Sequence, residues 1–266
     1  MNKTQIISVI NQKGGVGKTT TVINLSTALS FRNKKILVID LDPQGNATTG
    51  FGLSTGDDTK TVYDVLNGNS NFEDTIQDTK INNLKIVPSN VELSGIEVET
   101  ANENRRAFLL KDKIENFINS SKNDFSYVFI DCPPSLSLLT VMSLVVAKSL
   151  IVPLQAEFFA LEGLSQLMKT IERVKVKLNP ELSIRGVLLT MFDKRNKLSG
   201  EVDTEARKFF KEKVYHTVIP RNVRLSEAPS HGIPVLIYDK LCAGSKSYSN
   251  FAEEFLKQEN IMESAA

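Results

Sequence analysis

One short stretch near the start of the chain constrains the fold more than any other: a glycine-rich loop that ends in a lysine and two threonines. It follows an apolar run at 6–10 and leads into a helix-like segment at 21–31. Strand, glycine turn and helix in this order form a phosphate cradle, because glycines let backbone N–H groups close around an anion and the helix N-terminus adds its dipole. The loop residues are Lys13, Gly14, Gly15, Val16, Gly17, Lys18, Thr19 and Thr20.

Lys18 and Thr19 follow the last glycine of this loop, and each has a defined chemistry there. A lysine at this position reaches the β- and γ-phosphates of a nucleotide, and the hydroxyl after it ligates Mg²⁺. The general pattern G-x-x-x-x-G-K-[ST] also requires a glycine where this chain has Gln12. A second cation, Lys13, follows directly. From the residues alone, Lys13 is either a second phosphate ligand or a group offered to another subunit.

The composition excludes several other classes of protein. The two cysteines, Cys132 and Cys242, are far apart and form no C-x-x-C, which argues against a disulfide scaffold, a zinc site or an iron–sulfur cluster within one chain. No apolar stretch approaches the ~18 residues of a membrane span, and the polar start of the chain does not resemble a signal peptide. We therefore expect a cytoplasmic protein.

Short apolar runs alternate with longer amphipathic segments along the chain, and most runs are continuously apolar, as in parallel strands buried on both faces. The predicted strands are 5–10, 35–40, 84–88, 127–131, 150–154, 184–191 and 217–220. The predicted helices are 19–31, 105–120, 136–147, 161–178, 200–213 and 245–258. This alternation predicts an α/β fold with a single doubly wound, mostly parallel sheet flanked by helices. We expect one domain over 1–266, with 255–266 as a loose C-terminal tail.

Aspartates end two of the predicted strands. Asp40 and Asp42 lie where the second strand ends, and Asp131 ends the apolar run at 127–131. Ligands of doubly wound sheets bind beyond the carboxyl ends of the strands, where such carboxylates hold Mg²⁺ or orient a nucleophilic water. Asp-Pro and Gln-Gly at 42–45 also favour a turn, and a turn is compatible with a catalytic role.

The sequences KGGVGKTT at 13–20, DLDPQ at 40–44 and DCPPS at 131–135 together resemble the ParA/MinD family of P-loop ATPases with a deviant Walker A motif. The resemblance implies that Lys13 crosses a dimer interface to the partner's nucleotide. It also implies that Asp42 positions the attacking water, and that Asp40 supports a metal shell with Thr19 and Asp131. The run from 219 to 229 resembles the family's adenine-side loop, in which Pro220 and Asn222 would contact the base.

Positive charge is concentrated in one part of the chain, although the net charge is only +1. Between Arg185 and Arg224 there are ten Lys and Arg against five Asp and Glu. A basic stretch is usually a solvated face, but the family's ParA/Soj branch uses basic residues at such positions to bind DNA without sequence preference. By that match the candidate DNA contacts are Arg195 and Arg224, supported by Lys194 and Lys197.

The resemblance as a whole implies an ATP- and Mg²⁺-dependent switch for chromosome or plasmid partitioning. Such a protein closes into a homodimer with ATP, binds nonspecific DNA on the nucleoid, and is stimulated by a ParB-type centromere-binding protein. One alternative is a metabolic P-loop enzyme or a metallocluster-loading ATPase, the latter of which needs a cysteine pair that the sequence does not offer. The other alternative is a MinD-like membrane-associated positioning ATPase. A basic amphipathic C-terminal helix would favour that alternative, whereas the apolar residues at the C-terminus, Phe251, Phe255 and Leu256, stand beside acidic ones, so we expect no membrane partner.

Overall fold

The structure, a computed structural model, describes residues 4–56, 58–120, 124–157 and 160–264. Its strands are β1 Gln5–Val9, β2 Ile36–Asp40, β3 Gln77–Asp78, β4 Leu84–Val87, β5 Tyr127–Asp131, β6 Ser149–Gln155 and β7 Ser183–Thr190. They form one seven-stranded sheet in the order β3-β4-β2-β5-β1-β6-β7. The β3–β4 pair is antiparallel and the other pairs are parallel.

Helices connect these strands. They are α1 Lys18–Ser30, α2 Asn46–Gly50, α3 Val62–Asn67, α4 Phe72–Thr75, α5 Ile96–Glu99, α6 Leu109–Ser120, α7 Leu138–Val146, α8 Ala160–Lys177, α9 Lys197–Phe210, α10 Val223–Glu227, α11 Val235–Tyr238 and α12 Ala243–Ser264. Short 3₁₀ turns occur at Val91–Gly95, Arg106–Phe108, Lys211–Lys213 and Ala228–His231.

The sheet is buried on both faces, as its continuously apolar strands predict. Successive side chains of a strand point to opposite faces. In β5, Tyr127 and Phe129 join a core formed with α1 and α12, whereas Val128 and Ile130 join a core formed with α6 and α7. The doubly wound α/β fold predicted from the sequence is confirmed.

The parallel register brings the functional ends of the central strands together. Asp131 lies opposite Asp40 in the β2–β5 pair and opposite Val9 in the β1–β5 pair. The glycine-rich loop after β1 therefore starts beside both carboxylates.

The predicted strand at 217–220 is wrong. This segment forms one isolated bridge, between Pro220 and Phe192 just beyond β7, and the Ile219 N–H donates to the Leu189 carbonyl of β7 at 2.8 Å. The backbone N–H groups of His216 and Thr217 donate to the Glu254 carboxylate at 2.6 and 2.8 Å, so they are not available for a ladder. Pro220 has no N–H to donate. The seventh strand is instead the two-residue edge strand β3, in a polar segment without an apolar run.

The expected loose tail from residue 255 is also wrong for the residues that the structure describes there. Helix α12 continues to Ser264, and Phe255 is fully buried. The Phe255 ring packs edge-on against Tyr127 and lies 3.8 Å from the guanidinium carbon of Arg185. The acidic composition hid this contact, because acidic residues are typical of a solvated face, whereas Glu254 of α12 accepts from the N–H groups of His216 and Thr217 and Glu259 accepts from the Tyr127 hydroxyl.

We predict that Phe255→Ala lowers the free energy of unfolding by about 3–5 kcal/mol, because it leaves a cavity between α12 and the sheet. The matched control is Leu241→Ala, whose side chain is 80% exposed and whose loss should change stability by less than about 0.5 kcal/mol. Urea unfolding followed by circular dichroism measures both. Equal stability of Phe255→Ala and the wild type would restore the loose-tail interpretation.

Candidate functional site

The glycine-rich loop is held open by its own backbone conformation and by two neighbouring strands. Gly15 and Gly17 have positive φ angles of 72° and 89°, a region that side chains disfavour. The Thr190 hydroxyl at the end of β7 donates to the Val16 carbonyl at 2.8 Å. The Asn11 amide donates to the Pro153 carbonyl on β6 at 2.7 Å, while its side-chain oxygen accepts from the Lys13 N–H at 3.0 Å. The loop is thereby fastened to the carboxyl ends of β6 and β7.

Lys18, the first residue of α1, lies inside this loop. Its side chain is buried, and its ammonium group donates to the Lys13 carbonyl at 3.1 Å across the loop. Burial lowers the pKa of Lys18, and the charge of Asp131 acts in the opposite direction. The ammonium is thus pre-positioned over the cradle, with part of its hydration already lost.

The second lysine of the loop points to a different group. The Lys13 ammonium forms an ion pair of 2.9 Å with the Glu157 carboxylate, and both side chains are nearly half exposed. The amide of Gln155 in turn donates to Glu157. Lys13 therefore does not fold into its own cradle but is held at the surface beside it.

Asp40 is a positioning residue rather than an open metal ligand, which differs from the role that the resemblance implies. The carboxylate is fully buried and accepts three hydrogen bonds: from the Thr48 N–H at 2.8 Å, the Thr48 hydroxyl at 2.7 Å and the Asp42 N–H at 3.2 Å. Burial raises the pKa of Asp40 to about 6, and these hydrogen bonds limit the rise. Asp40 therefore ties the start of α2 to the end of β2.

Asp42 stands at the start of the turn that follows. Its side chain is buried and accepts from the Gln44 N–H at 3.0 Å, and the turn closes when Gly45 donates to the Asp42 carbonyl at 2.9 Å. Gly45 has a φ of 62°, and a Cβ there would lie 3.0 Å from the Ser89 carbonyl. The turn that the sequence favours is present, and it fixes the Asp42 carboxylate close enough to Lys18 to raise the pKa of that lysine.

Asp131 is the third carboxylate of the site, and its environment differs from those of Asp40 and Asp42. It is fully buried, and neither of its oxygens has a hydrogen-bond partner within the described residues. Burial raises the pKa of Asp131 well above its ordinary value, the charge of Asp40 raises it further, and Thr19 and Lys18 oppose the rise. A buried, unpartnered carboxylate is costly unless a cation or donor satisfies it. The donor set of Asp131 and the Thr19 hydroxyl fits a hard divalent cation.

The predicted adenine-side residues lie on a loop next to the end of β7. Phe192 donates its N–H to the Ile219 carbonyl at 3.0 Å and bridges to Pro220. The side-chain oxygen of Asn222 is buried without a partner in the described part of the chain. The structure thus brings this loop to the same end of the sheet as the phosphate loop, with an acceptor left open.

The candidate DNA contacts lie at this end of the sheet: Lys194 and Arg195 follow β7, Lys197 begins α9 and Arg224 lies in α10. Arg195 is 91% exposed and pairs with Asp193 at 3.0 Å, and Arg224 is 50% exposed and pairs with Glu227 at 2.7 Å. Lys194 and Lys197 are exposed. The excess of positive charge is smaller at the surface than in the sequence, because Arg185 is buried against Phe255.

Several residues of the site escaped sequence reasoning. Thr190 is the last residue of β7, and Glu157 lies two residues after β6. A polar residue at or just after the end of an apolar strand was the available signal. No sequence pattern indicated Thr48, because its hydrogen bond to Asp40 depends on how α2 packs.

Strand, phosphate loop, buried lysine and open carboxylate define a P-loop nucleotide-binding protein. A family model described as AAA domain matches residues 4–184. The chain is 49% identical to the chromosome partitioning protein ParA of Caulobacter vibrioides, covering 100% of this chain and 98% of that protein. It is 47% identical to the sporulation initiation inhibitor protein Soj of Bacillus subtilis, covering 94% and 97%.

A solved structure from Mycobacterium smegmatis, described as cobyrinic acid a,c-diamide synthase with bound ADP and magnesium, has the same fold. It matches with a TM-score of 0.84 at 32% identity, covering 97% of this chain and 96% of that chain. The relatives named ParA and Soj show that the chain belongs to the ParA/Soj family of partitioning ATPases. Within the described residues, no helix is both long and apolar enough to cross a membrane.

We predict that Asp131→Asn stabilises the nucleotide-free protein, because a neutral amide replaces a buried, unpartnered carboxylate; the expected gain is about 1–3 kcal/mol at neutral pH. The raised pKa values of Asp40 and Asp131 mean that the folded state binds more protons than the unfolded state. Wild-type stability should therefore fall as pH rises through about 6. The advantage of the variant should grow as pH rises above the ordinary aspartate pKa of about 4, because the raised pKa of Asp131 keeps its carboxyl protonated in the folded state after the unfolded state has ionised.

Thermal unfolding in EDTA measures this difference. Asp112→Asn is the matched control, because Asp112 is exposed. A variant less stable than the wild type at every pH would show that Asp131 is satisfied within the fold.

Proposed function

We propose that this chain is an ATP-dependent dimerising switch for chromosome or plasmid partitioning, which hydrolyses ATP to ADP and phosphate. The observation that carries the proposal is the open Asp131 carboxylate beside Lys18 and Thr19, at the mouth of a loop shaped for phosphate. Nothing in the fold satisfies that carboxylate among the described residues, and a Mg²⁺-nucleotide would. The relatives named ParA and Soj support the cellular role.

The chain's own residues divide the work of nucleotide binding. The N–H groups of the loop from Gly14 to Thr20 and the α1 N-terminus bind phosphate oxygens, and the Lys18 ammonium exchanges the Lys13 carbonyl for the β- and γ-phosphates. Pro220 and Asn222 contact adenine, the latter through its unpartnered side chain.

The Thr19 hydroxyl and Asp131 would hold Mg²⁺, supported by the buried framework around Asp40. When bound, Mg²⁺ neutralises negative charge on the β- and γ-phosphate oxygens. The M. smegmatis structure contains ADP and magnesium on the same fold, which supports a magnesium–nucleotide complex as the ligand here.

Hydrolysis depends on Asp42. Its carboxylate is fixed by the 42–45 turn near Lys18, and it orients the attacking water beside the γ-phosphate. Orientation rather than strong basicity is the contribution, as expected for positioning groups in phosphoryl transfer.

Dimerisation supplies the second cation. Lys13 lies beside its own cradle, paired with Glu157, and is partly exposed. In the ATP-bound dimer each Lys13 leaves Glu157 and reaches the partner's phosphates. Charge stabilisation of this kind, when supplied by an arginine finger, is worth ~10³–10⁵ in rate.

The dimer binds DNA through phosphate contacts of Arg195, Arg224, Lys194 and Lys197, which places it on the nucleoid in the cytoplasm. A ParB-type centromere-binding protein stimulates hydrolysis and releases it. The MinD-like alternative requires a C-terminal helix free to bind a membrane. Here Phe251 and Phe255 on α12 are fully buried in the core, so these apolar side chains are not available to bind a membrane.

We predict that Lys13→Ala binds ATP but fails to form the ATP dimer, because the trans charge is lost. Glu157→Gln is the matched variant, because it removes the ion pair that Lys13 forms within its own protomer. Freeing Lys13 from a partly exposed ion pair of about 0.2–1 kcal/mol in each protomer should strengthen dimerisation by roughly two- to thirty-fold. Sedimentation with a non-hydrolysable ATP analogue measures both. Normal dimerisation of Lys13→Ala contradicts the trans role, and weaker dimerisation of Glu157→Gln places Glu157 in the dimer contact instead.

We predict that Arg195→Glu combined with Arg224→Glu abolishes DNA binding while ATP binding and dimerisation survive. If both arginines of each protomer neutralise a phosphate, the dimer makes about four contacts, and log K should fall with log salt with a slope of roughly −3.6. Binding should not depend on sequence, because phosphate contacts position without specifying.

Gel shifts over a salt series decide this, with ATP and the Asp42→Ala background to prevent hydrolysis. Arg105→Glu with Arg173→Glu is the control of equal charge change, since both arginines are exposed and lie outside the basic stretch from Arg185 to Arg224. Equal loss of DNA binding in both double variants would show that the net charge of the protein, and not these two positions, determines the binding.

A further inference from the structure

The two arginines assigned to DNA share a feature that the proposed function does not use: each is paired with a nearby carboxylate of its own protomer. Arg195 pairs with Asp193 in the loop after β7, and Arg224 pairs with Glu227 at the end of α10. An arginine binds a phosphate with the same N–H groups that bind a carboxylate. Both pairs therefore engage donors that a DNA phosphate would use.

The pair of Asp193 and Arg195 has the geometry of an arginine–phosphate contact. The Arg195 Nε–H donates to Asp193 Oδ1 at 3.1 Å, and an Nη2–H donates to Asp193 Oδ2 at 3.0 Å. Two N–H···O bonds from one edge of the guanidinium form the fork in which arginine also binds phosphate. Hydrogen bonds from the Arg195 side chain lower the pKa of Asp193, so the carboxylate is charged at neutral pH. Asp193 thus occupies the position that two phosphate oxygens would take.

The backbone of the loop holds Asp193 in place independently of the ion pair. Asp193 Oδ1 also accepts from the Arg195 backbone N–H at 3.0 Å, and the Asn196 N–H donates to the Asp193 carbonyl at 3.0 Å. These bonds form a tight turn in which aspartate and asparagine are both favoured. An asparagine offers the same Oδ1 acceptor. Asp193→Asn therefore removes the charge and keeps the turn.

Arg224 is also held by carboxylates, with a different geometry. Its Nη1–H donates to Glu227 Oε2 at 2.7 Å, and its Nε lies 3.5 Å from Asp239 Oδ2. The Tyr238 hydroxyl donates to the same Glu227 oxygen at 3.4 Å. Two carboxylates face this guanidinium, but neither forms the two bonds of a fork. The pair at Asp193 is therefore the closer copy of a phosphate contact.

We propose that Asp193 competes with DNA phosphate for Arg195 and thereby limits the affinity of the protein for DNA, and that Glu227 does the same at Arg224. DNA binding then exchanges a carboxylate for a phosphate at each arginine, instead of capturing a free cation. The inference rests on the proposed DNA contacts of these two arginines and adds the residues that weaken them.

The test is a double-mutant cycle on DNA affinity, made with Asp193→Asn, Arg195→Gln and the two combined. Each full-length protein, saturated with a non-hydrolysable ATP analogue, is titrated into a fluorescent DNA duplex and followed by anisotropy. One exposed ion pair shifts an equilibrium by roughly 1.4- to five-fold, so the two copies in a dimer should make Asp193→Asn bind about two- to thirty-fold more tightly. In the Arg195→Gln background this gain should disappear, because no guanidinium remains to be released. Glu227→Gln should give a gain that depends on Arg224 in the same way.

Two controls separate competition for the arginine from general repulsion between an acidic residue and DNA. Lys194 is exposed and adjacent to Asp193, but Asp193 pairs with Arg195. Asp193→Asn should therefore keep its full gain in a Lys194→Gln background. Glu201→Gln makes the same charge change at an exposed position of α9 and should strengthen DNA binding less than Asp193→Asn does.

The outcomes distinguish this inference from the proposed function. Unchanged DNA affinity of Arg195→Gln alone would show that Arg195 is not a DNA contact, which removes the contact and the competition together. If Arg195→Gln weakens binding, the contact stands. The competition is then overturned by an Asp193→Asn gain that is absent, equal in both arginine backgrounds or no larger than that of Glu201→Gln. Weaker binding of Asp193→Asn would also overturn it, since Asp193 would then position Arg195 for DNA.

Discussion

The site depends on two aspartates that the sheet forces together. Parallel pairing of β2 and β5 places Asp40 opposite Asp131, and both are fully buried. Two buried carboxylates repel each other, so each needs partner groups that stabilise its charge. Asp40 takes three hydrogen bonds from the chain itself and becomes framework. Asp131 takes none from the described residues. One carboxylate is therefore part of the framework, and the other is the proposed magnesium ligand.

The remaining groups lie at the same end of the sheet, because the strands β1, β6 and β7 all end there. Thr190 ends β7 and bonds to the phosphate loop, Asn11 follows β1 and bonds to β6, and Glu157 follows β6 and holds Lys13. The phosphate loop is therefore not an isolated motif but is positioned by hydrogen bonds from neighbouring strands. Its second lysine is kept outside the protomer's own cradle, as a residue used across a dimer would be.

Helix α12 connects core stability to the nucleotide-side loops. Phe251 and Phe255 cover one face of the sheet, and Glu254 on the same helix accepts from the N–H groups of His216 and Thr217, shortly before Pro220. One side of the helix supplies hydrophobic burial and the adjoining side fixes the start of the adenine-side loop. This double contact explains why 217–220 is not a strand and why the C-terminal residues up to 264 are not a tail.

The sequence by itself determined the parallel core strands, the doubly wound fold and the phosphate loop, because continuous apolar runs and a glycine–lysine–threonine pattern are local signals with few structural solutions. Only the tertiary structure decided that Asp40 is framework and Asp131 is open, that Lys13 pairs with Glu157, and that Phe255 is core. The edge strand β3 and the role of Glu254 were equally out of reach. Each of these depends on which groups distant in the chain meet after packing, and a hydrogen bond or ion pair between such groups leaves no periodic trace in the sequence.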